Sequence, residues 1–501
     1  MREMISPANG NARQSVLLEC ICACLIILAS MVTALLVYRN FIPWGDEAQF
    51  IDPAVNLAQG KGFVSSAWPY QHPNEFFLGN APLYPFLNAL WFKLAGFGLL
   101  QARVLNFALA GVAAFLIWLS VHSSNFLSSP VSRLAAVLLI LGGFGVAFSY
   151  QSARYDALGM ALAAACYFCI CSDLMRGRNI ALSILGALIP LAGFHLVVAF
   201  VLLVIVDFVA ERKIRQEFFF LATGIALGLL ILLGLAAYHG LLEKFLLITF
   251  GSQHTITGRL GKAVTTGDMK VVRGFLDGYR ILFQDPSFSL VLLALLPALY
   301  IFRRGGKTAI AGGELLRAIG LVAIVPAGLF IIGKYPVYYS WIGYVPAVLF
   351  ALRWAESASG SGMVSYRNFS FVLLFGALVV GFPQLLTSTI KANNGIDYDA
   401  LEARVKAALR PGDIIYSDFS AYFAARSVSS PVFVETYGRT AIVNGIPEHD
   451  TITALVVRRD EIDSIRILIP GDWVELATNV AFPPVGNAEY SHSDVTVFRR
   501  R

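Results

Sequence analysis

Charge is scarce in this chain. Only 14% of its 501 residues are Asp, Glu, Lys or Arg, where soluble proteins carry about a quarter. With 57% hydrophobic residues and a mean hydropathy of +0.67, that shortage excludes an ordinary soluble protein. Cysteine is scarce too: Cys20, Cys22 and Cys24 lie in the first apolar run, Cys166, Cys169 and Cys171 in the fourth. The spacing mimics a thiolate metal site, but small buried thiols in apolar helices are the simpler reading. No cysteine follows Lys391, so no disulfide framework supports the C-terminal region. Internal repeats are absent, as is any low-complexity tract beyond the SASGSG linker. The formal charge of +6 and pI near 8.9 suggest nucleic acid. The basic residues, however, cluster in short segments between apolar runs, where they orient a membrane protein. No nucleic-acid partner is expected.

What is present is a series of apolar runs from Ser15 to Thr387, each of about twenty residues and long enough to cross a bilayer. The first, Ser15–Tyr38, exceeds a signal-peptide core and is read as a retained helix. Others fall near Ala102–Val121, Arg133–Phe148 and Ala157–Leu174, and a late set near Phe218–Tyr238, Phe288–Phe302, Glu314–Ile332, Tyr338–Trp354 and Phe369–Thr387. Ile180–Ala210 is interrupted by Pro190, Gly193 and His195, and reads as two short helices turning near Gly193 and His195. With the N-terminus inside, Arg133, Arg176, Arg178, Arg212, Lys213, Arg215, Arg303, Arg304, Lys307, Arg353 and Arg367 all fall on the cytoplasmic side. The candidate functional residues then share the opposite face.

The expected fold is a polytopic α-helical membrane protein of about eleven transmembrane helices, with a C-terminal mixed α/β soluble domain. Residues 1–390 form the membrane domain, including a first outer loop at 39–98, and residues 391–501 an extracytoplasmic domain. The expected location is the inner (plasma) membrane. In the tail, Leu401, Val405, Ala408 and Leu409 give Tyr398–Arg410 helical spacing, and Pro411-Gly412 ends it. The runs DIIYSD, PVFVE, ALVVRR, RILIP and VTVFRR read as strands.

Chemistry-bearing residues gather at the outer ends of spans. Asp46 and Glu47 follow the first span directly, at a low-dielectric boundary that suits a carboxylate to accept protons. A solvated loop start is the plain alternative. Asp52-Pro53 looks like the start of an amphipathic helix on the membrane surface, with Asp46 just before it. Arg154-Tyr155-Asp156 opens the fourth span, where a helix-start carboxylate with a flanking ion pair competes with a functional role. His195 is either a packing histidine or a substrate contact. Lys334 precedes Tyr335, Tyr338 and Tyr339, as a substrate-binding group or as a snorkelling lysine in an aromatic belt. The loop His239–Pro286 carries Arg259, Lys262, Lys270, Arg273 and Arg280, and its length suggests a lid.

These pieces together resemble the GT-C glycosyltransferases that use polyprenyl-phosphate sugars. The resemblance is to the branch holding protein O-mannosyltransferases, the lipid A aminoarabinose transferase and rhizobial galacturonosyltransferases. It rests on the Asp46-Glu47 pair, APLYPFL at Ala81–Leu87, ARVLN at Ala102–Asn106, ARYDAL at Ala153–Leu158, the Gly193-Phe194-His195 turn and the Lys334…Tyr338-Tyr339…Pro346 run. The resemblance implies that Asp46 is the catalytic base, that Asp156 lines the same cavity, and that Lys334 lies near the donor phosphate. Inverting stereochemistry follows from it as well. The chain departs from the aminoarabinose transferases in having Asn80-Ala81 where they carry a lysine before a PPLY-like run. That moves phosphate binding to Lys334 or to the Arg259–Arg280 loop.

The expected activity is transfer of one sugar from a polyprenyl phosphate to an envelope glycolipid, polysaccharide or protein acceptor. Asp46, Glu47 and Asp156 are the catalytic candidates; Arg154, His195, Arg259, Lys334 and Tyr338 are the substrate-binding candidates. A lipid or sugar transporter is the alternative, although neither duplicated halves nor mid-membrane acidic residues favour it. No cofactor is expected, and a divalent metal on Asp46, Glu47 and Asp52 is the less favoured reading.

Overall fold

A computed structural model describes residues 10–40, 42–68, 71–79, 81–172, 177–251, 285–303, 312–331, 337–360, 364–392, 398–434, 449–476 and 495–501. The first ten helices are α1 (Gly10–Val37), α2 (Gly45–Ala58), α3 (Leu83–Ala95), α4 (Leu99–Ser123), α5 (Pro130–Gly142), α6 (Phe144–Gln151), α7 (Asp156–Cys171), α8 (Arg178–Ala192), α9 (Phe194–Glu211) and α10 (Gln216–Tyr238). There follow α11 (Leu242–Leu246), α12 (Pro286–Arg303), α13 (Gly312–Ile319), α14 (Val325–Ile331), α15 (Trp341–Gly360) and α16 (Val364–Ala392). The tail carries α17 (Tyr398–Ala408), α18 (Tyr422–Val428) and α19 (Ile462–Leu468). The chain divides into two compact units: a membrane unit of Met1–Ala34, Phe107–Tyr150 and Asp156–Leu385, and a second unit of Leu35–Asn106, Gln151–Tyr155 and Leu386–Arg501.

In the membrane unit every expected apolar run falls on a helix. Among the described residues six helices of the chain are long and apolar enough to cross a bilayer, or seven if α5 and α6, bent by 58°, count as one span. Helices α7 and α8 and the Pro286–Leu296 part of α12 are shorter and also apolar. The expected break in the long run is real: α8 ends at Ala192 and α9 starts at Phe194. Helices α8 and α10 pack backbone to backbone. A Cβ at Gly224 would lie 2.0 Å from the Ser183 carbonyl oxygen, and one at Gly228 2.2 Å from that of Ala187. Small residues spaced by four are what allows such contact where lipid gives no hydrophobic drive between helices.

Arg133, one of the basic residues between the apolar runs, is held by an acid of α1. It is buried and donates from Nε and Nη2 to the two oxygens of Glu19, at 2.7 and 2.6 Å. Trp118 Nε1 donates to the same carboxylate at 2.8 Å. An arginine kept at the edge of an apolar helix is stable there because its charge and its fork are both matched.

The second unit holds a five-stranded sheet in the order β2-β1-β3-β5-β4, with strands Ile415–Ser417, Val432–Val434, Ala454–Arg458, Trp473–Glu475 and Val495–Arg500 as β1 to β5. β1 runs parallel to β2 and β3, whereas β5 is antiparallel to β3 and β4. Four of the five expected strand runs form strands. The fifth, RILIP, is instead the end of α19. Ile465 and Ile469 are fully buried four residues apart while Ile467 is exposed, so the helical period prevails over β-branched content. β4, at the sheet edge, was not expected; its pattern of burial is too short to announce a strand. Past α17 the chain turns at Gly412, whose φ of +90° favours glycine.

The first loop is more ordered than its polar and aromatic content suggests, since it contains α2 and α3. Helix α2 starts at Gly45, not at Asp52, and Pro53 sits inside it. It is not a surface helix: every residue from Glu47 to Asn56 is buried. Tertiary packing therefore overrides the usual cost of an interior proline.

Candidate functional site

Helix α2 carries three acidic side chains, and each is engaged by a different arginine. Glu47 is fully buried. Its oxygens accept Arg103 Nε at 2.9 Å and Nη2 at 2.8 Å, the Ala153 amide at 2.6 Å and the Trp44 amide at 3.1 Å. The last of these closes a capping box on the first turn. Arg103 also donates to the Tyr38 carbonyl. Every lone pair of Glu47 that faces a donor is thus occupied.

Asp46 stands one residue earlier and is different. Its side chain is 17% exposed, and its Oδ2 accepts a hydrogen bond from Arg154 Nη1. The Arg154 side chain is 2% exposed. Its guanidinium lies 4.6 Å from the centre of the Trp44 ring and 5.7 Å from that of Tyr155. Asn106 Nδ2 fixes the backbone beneath it by donating to the carbonyls of Ser152 and Arg154. Tyr155 in turn meets Phe50 of α2 edge-on at 4.8 Å. The result is a cation close over two aromatic rings, presenting its charge to a partly exposed carboxylate. Both acids lie in the first turn of a helix, where the backbone dipole favours the anion.

Asp52 lies deeper, 1% exposed. Its Oδ2 accepts the Ser66 amide at 2.7 Å and Ser65 Oγ at 3.1 Å, and its Oδ1 accepts Tyr422 Oη at 2.8 Å, with Arg426 Nε at 3.4 Å. Arg426 Nη2 donates to Asn56 Oδ1 at 2.8 Å and to Gln59 Oε1 at 3.1 Å. Burial, and next the charge of Asp52, push the Tyr422 phenol well above its ordinary pKa, so it is a hydrogen-bond donor at any physiological pH. Tyr398 of α17 is raised mainly by burial. Because each carboxylate of α2 faces its own arginine, the three do not converge on one point. Among the described residues no group of three His, Cys, Asp or Glu side chains is placed to hold a metal ion.

The remaining candidates belong to the membrane unit or fall outside the described residues. Asp156 is fully buried in the first turn of α7. His195 is buried and stacks on Tyr339, with centroids 4.3 Å apart and planes at 16°; Tyr338 meets Tyr339 edge-on at 4.9 Å. Ser149 Oγ donates to the Tyr338 carbonyl. The structure thus brings His195 and Tyr338 together through Tyr339. Arg259 and Lys334 lie outside the described residues, as does most of the expected lid loop. The membrane unit also holds a partly open cavity of about 470 Å³, lined mainly by apolar side chains such as Ile117, Met160, Phe200 and Leu349, with Asp207 and Arg317 among the few polar ones.

Arg103, Asn106, Tyr422 and Arg426 carry much of this architecture and were not among the expected site residues, while Asp52 was weighed only as a metal ligand. Arg103 and Asn106 sit within the ARVLN motif, so their signal was an arginine and an asparagine in an otherwise apolar helix. Tyr422 and Arg426 gave none, being 370 residues from their partners.

No family model and no curated protein sequence matches the chain. Among solved structures it is similar to ArnT, an aminoarabinose transferase, from Cupriavidus metallidurans in the apo state, at 12% identity and a TM-score of 0.47, covering 94% of this chain and 97% of that one. It is also similar to the arabinofuranosyltransferase AftD from Mycobacteria, at 15% identity and a TM-score of 0.45, covering 95% of this chain and 40% of AftD.

Proposed function

We propose that this chain is an integral-membrane inverting glycosyltransferase that moves a single sugar from a polyprenyl phosphate to a cell-envelope lipid or polysaccharide acceptor. The observation that carries the reading is the contrast within one helix turn: Asp46 is open to water and held by Arg154, whereas Glu47 beside it is saturated. An acceptor hydroxyl gives its proton to Asp46 as its oxygen bonds to the anomeric carbon. The bond from that carbon to the phosphate oxygen breaks, and polyprenyl phosphate leaves as a stable anion that needs no proton. Single displacement inverts the anomeric centre. Arg154 orients Asp46 and offers positive charge to the departing phosphate. In this reading Glu47 shapes the helix start rather than reacting, and Asp156, His195, Tyr338, Arg259 and Lys334 are substrate contacts to be tested one by one. Separately, the membrane unit holds an apolar cavity whose lining suits an isoprenoid chain.

That cavity is also what a lipid transporter would use, and one assay separates the two. Purified protein in detergent is given candidate polyprenyl-phosphate sugars and acceptors, with and without chelator, and free polyprenyl phosphate is measured. Release that persists with chelator and disappears in Asp46→Asn supports the transferase. No release with any donor supports transport, and loss on chelation supports a metal-dependent enzyme.

A further inference from the structure

We propose that Tyr422 and Arg426 of the C-terminal domain are positioning residues for Asp46, gripping helix α2 so that its first turn keeps one orientation. The inference rests on the proposed role of Asp46 and gives the tail a part in the reaction. Asp46 and Asp52 are six residues apart on one helix, about 9 Å along its axis. The grip is one-sided and spaced to the helix: Tyr422 and Arg426 reach Asp52 and Asn56 of α2 and Gln59, the residue that caps its end, at positions i, i+4 and i+7. All the donors come from α18, a single helix of seven residues. Next to them Phe423 stacks on Phe97 at 5.8 Å and 15°, so the same short helix also holds the link between α3 and α4.

Helix α2 is therefore fixed at two points by arginines from distant parts of the chain. Arg103 holds Glu47 at its start and Arg426 holds its second half. Asp46 lies at the end of this doubly fixed rod, with Arg154 its named ion-pair partner. Apolar packing alone would hold two segments together. A buried network of an acid, a phenol, an amide and a guanidinium instead fixes rotation and register, because each hydrogen bond has a direction. Small displacements of a reacting group cost rate steeply, so rotation of α2 is expected to reach turnover.

The test uses the full-length protein carrying Tyr422→Phe or Arg426→Lys, with Arg459→Gln, which removes an exposed pair to Glu475, as control. Amide exchange over residues 45–58 reads the grip directly, and the transfer assay reads its consequence. Both network variants are expected to exchange faster over 45–58 while remaining folded, and to lose turnover about ten- to hundredfold with donor KM unchanged. Asp46→Asn should lose turnover with normal exchange, and the control should change neither. Unchanged exchange and turnover in both network variants overturn the proposal. So does a fall in turnover that only follows the loss of folded protein. If wild-type protein transfers from no donor, the role of Asp46 fails, whereas faster exchange over 45–58 still upholds the grip and unchanged exchange overturns it.

Discussion

The Arg103 side and the Arg154 side of helix α2 solve the same problem, an acid near an apolar boundary, in opposite ways. On the Arg103 side both partners are shut from water, the contact is a two-bond fork, and two backbone amides complete it. On the Arg154 side one partner is buried and stacked while its carboxylate stays partly open. The first arrangement is closed to water on every side; the second keeps its carboxylate partly exposed. Adjacent residues of like charge thus sit in opposite surroundings within one helix turn.

Exchanging the two acids for their amides is the sharpest way to break this comparison. Asp46→Asn is expected to keep its melting temperature and to lose turnover by about 10²- to 10⁴-fold, the usual worth of a general base. Glu47→Gln should instead unfold more easily. Breaking a buried pair leaves one charge uncompensated, at a cost of about 3–5 kcal/mol. Melting temperature and turnover per folded molecule, measured on both variants, check this. If Glu47→Gln stays stable and inactive while Asp46→Asn works, the roles are reversed.

The comparison sharpens when the Arg103 pair is removed whole. The Glu47→Leu, Arg103→Met double variant replaces both charges with apolar groups and is expected to regain most of the stability that either single change loses. Its turnover is nonetheless expected to stay about tenfold below wild type, because apolar packing does not fix the rotation of α2, as read by thermal melts and the transfer assay. Arg154→Lys is a milder probe. Lysine keeps the charge but not the broad guanidinium over Trp44, a cation–π contact worth about 1 kcal/mol. A loss of turnover near tenfold with little change in melting is expected; an unaltered rate would remove Arg154 from the site.

Much of this contrast was legible in the chain and part of it was not. Asp46, Glu47 and Arg154 stood out because charge in an apolar sequence is costly and so draws notice. The break at Gly193 was legible for a related reason, since proline, glycine and histidine interrupt a long apolar run. The division of labour between Asp46 and Glu47 was not, because it depends on Arg103 and on the Ala153 amide, both far along the chain. Helix α2 was misplaced by the pull of Pro53, whose preference for first turns is local and whose packing is not. The Asp52 network was hidden for the same reason as any contact between the first loop and the tail: no spacing rule links residues so far apart. RILIP misled because composition favoured a strand while its burial follows a helical period.

Smallest in effect, and specific to the buried side of the comparison, is the response of the tail to alkali. The folded protein holds the Tyr422 proton above the ordinary phenol range of about 10, and unfolding releases the phenol to that ordinary value. Between the two values the folded state binds a proton that the unfolded chain has lost. The contribution of Tyr422 to stability is therefore complete below about pH 10 and declines as pH rises beyond it, by at most about 1.4 kcal/mol per pH unit. Tyr398 adds a decline of the same sign. Tyr422→Phe lacks one of these protons, so its melting temperature, lower at neutral pH, should fall less steeply than wild type above about pH 10. Titrating lysines and arginines affect both proteins alike and cancel in the difference. Curves that stay parallel across that range would mean that water reaches the phenol, and that the Asp52 network is not the sealed counterpart of the open Asp46 site.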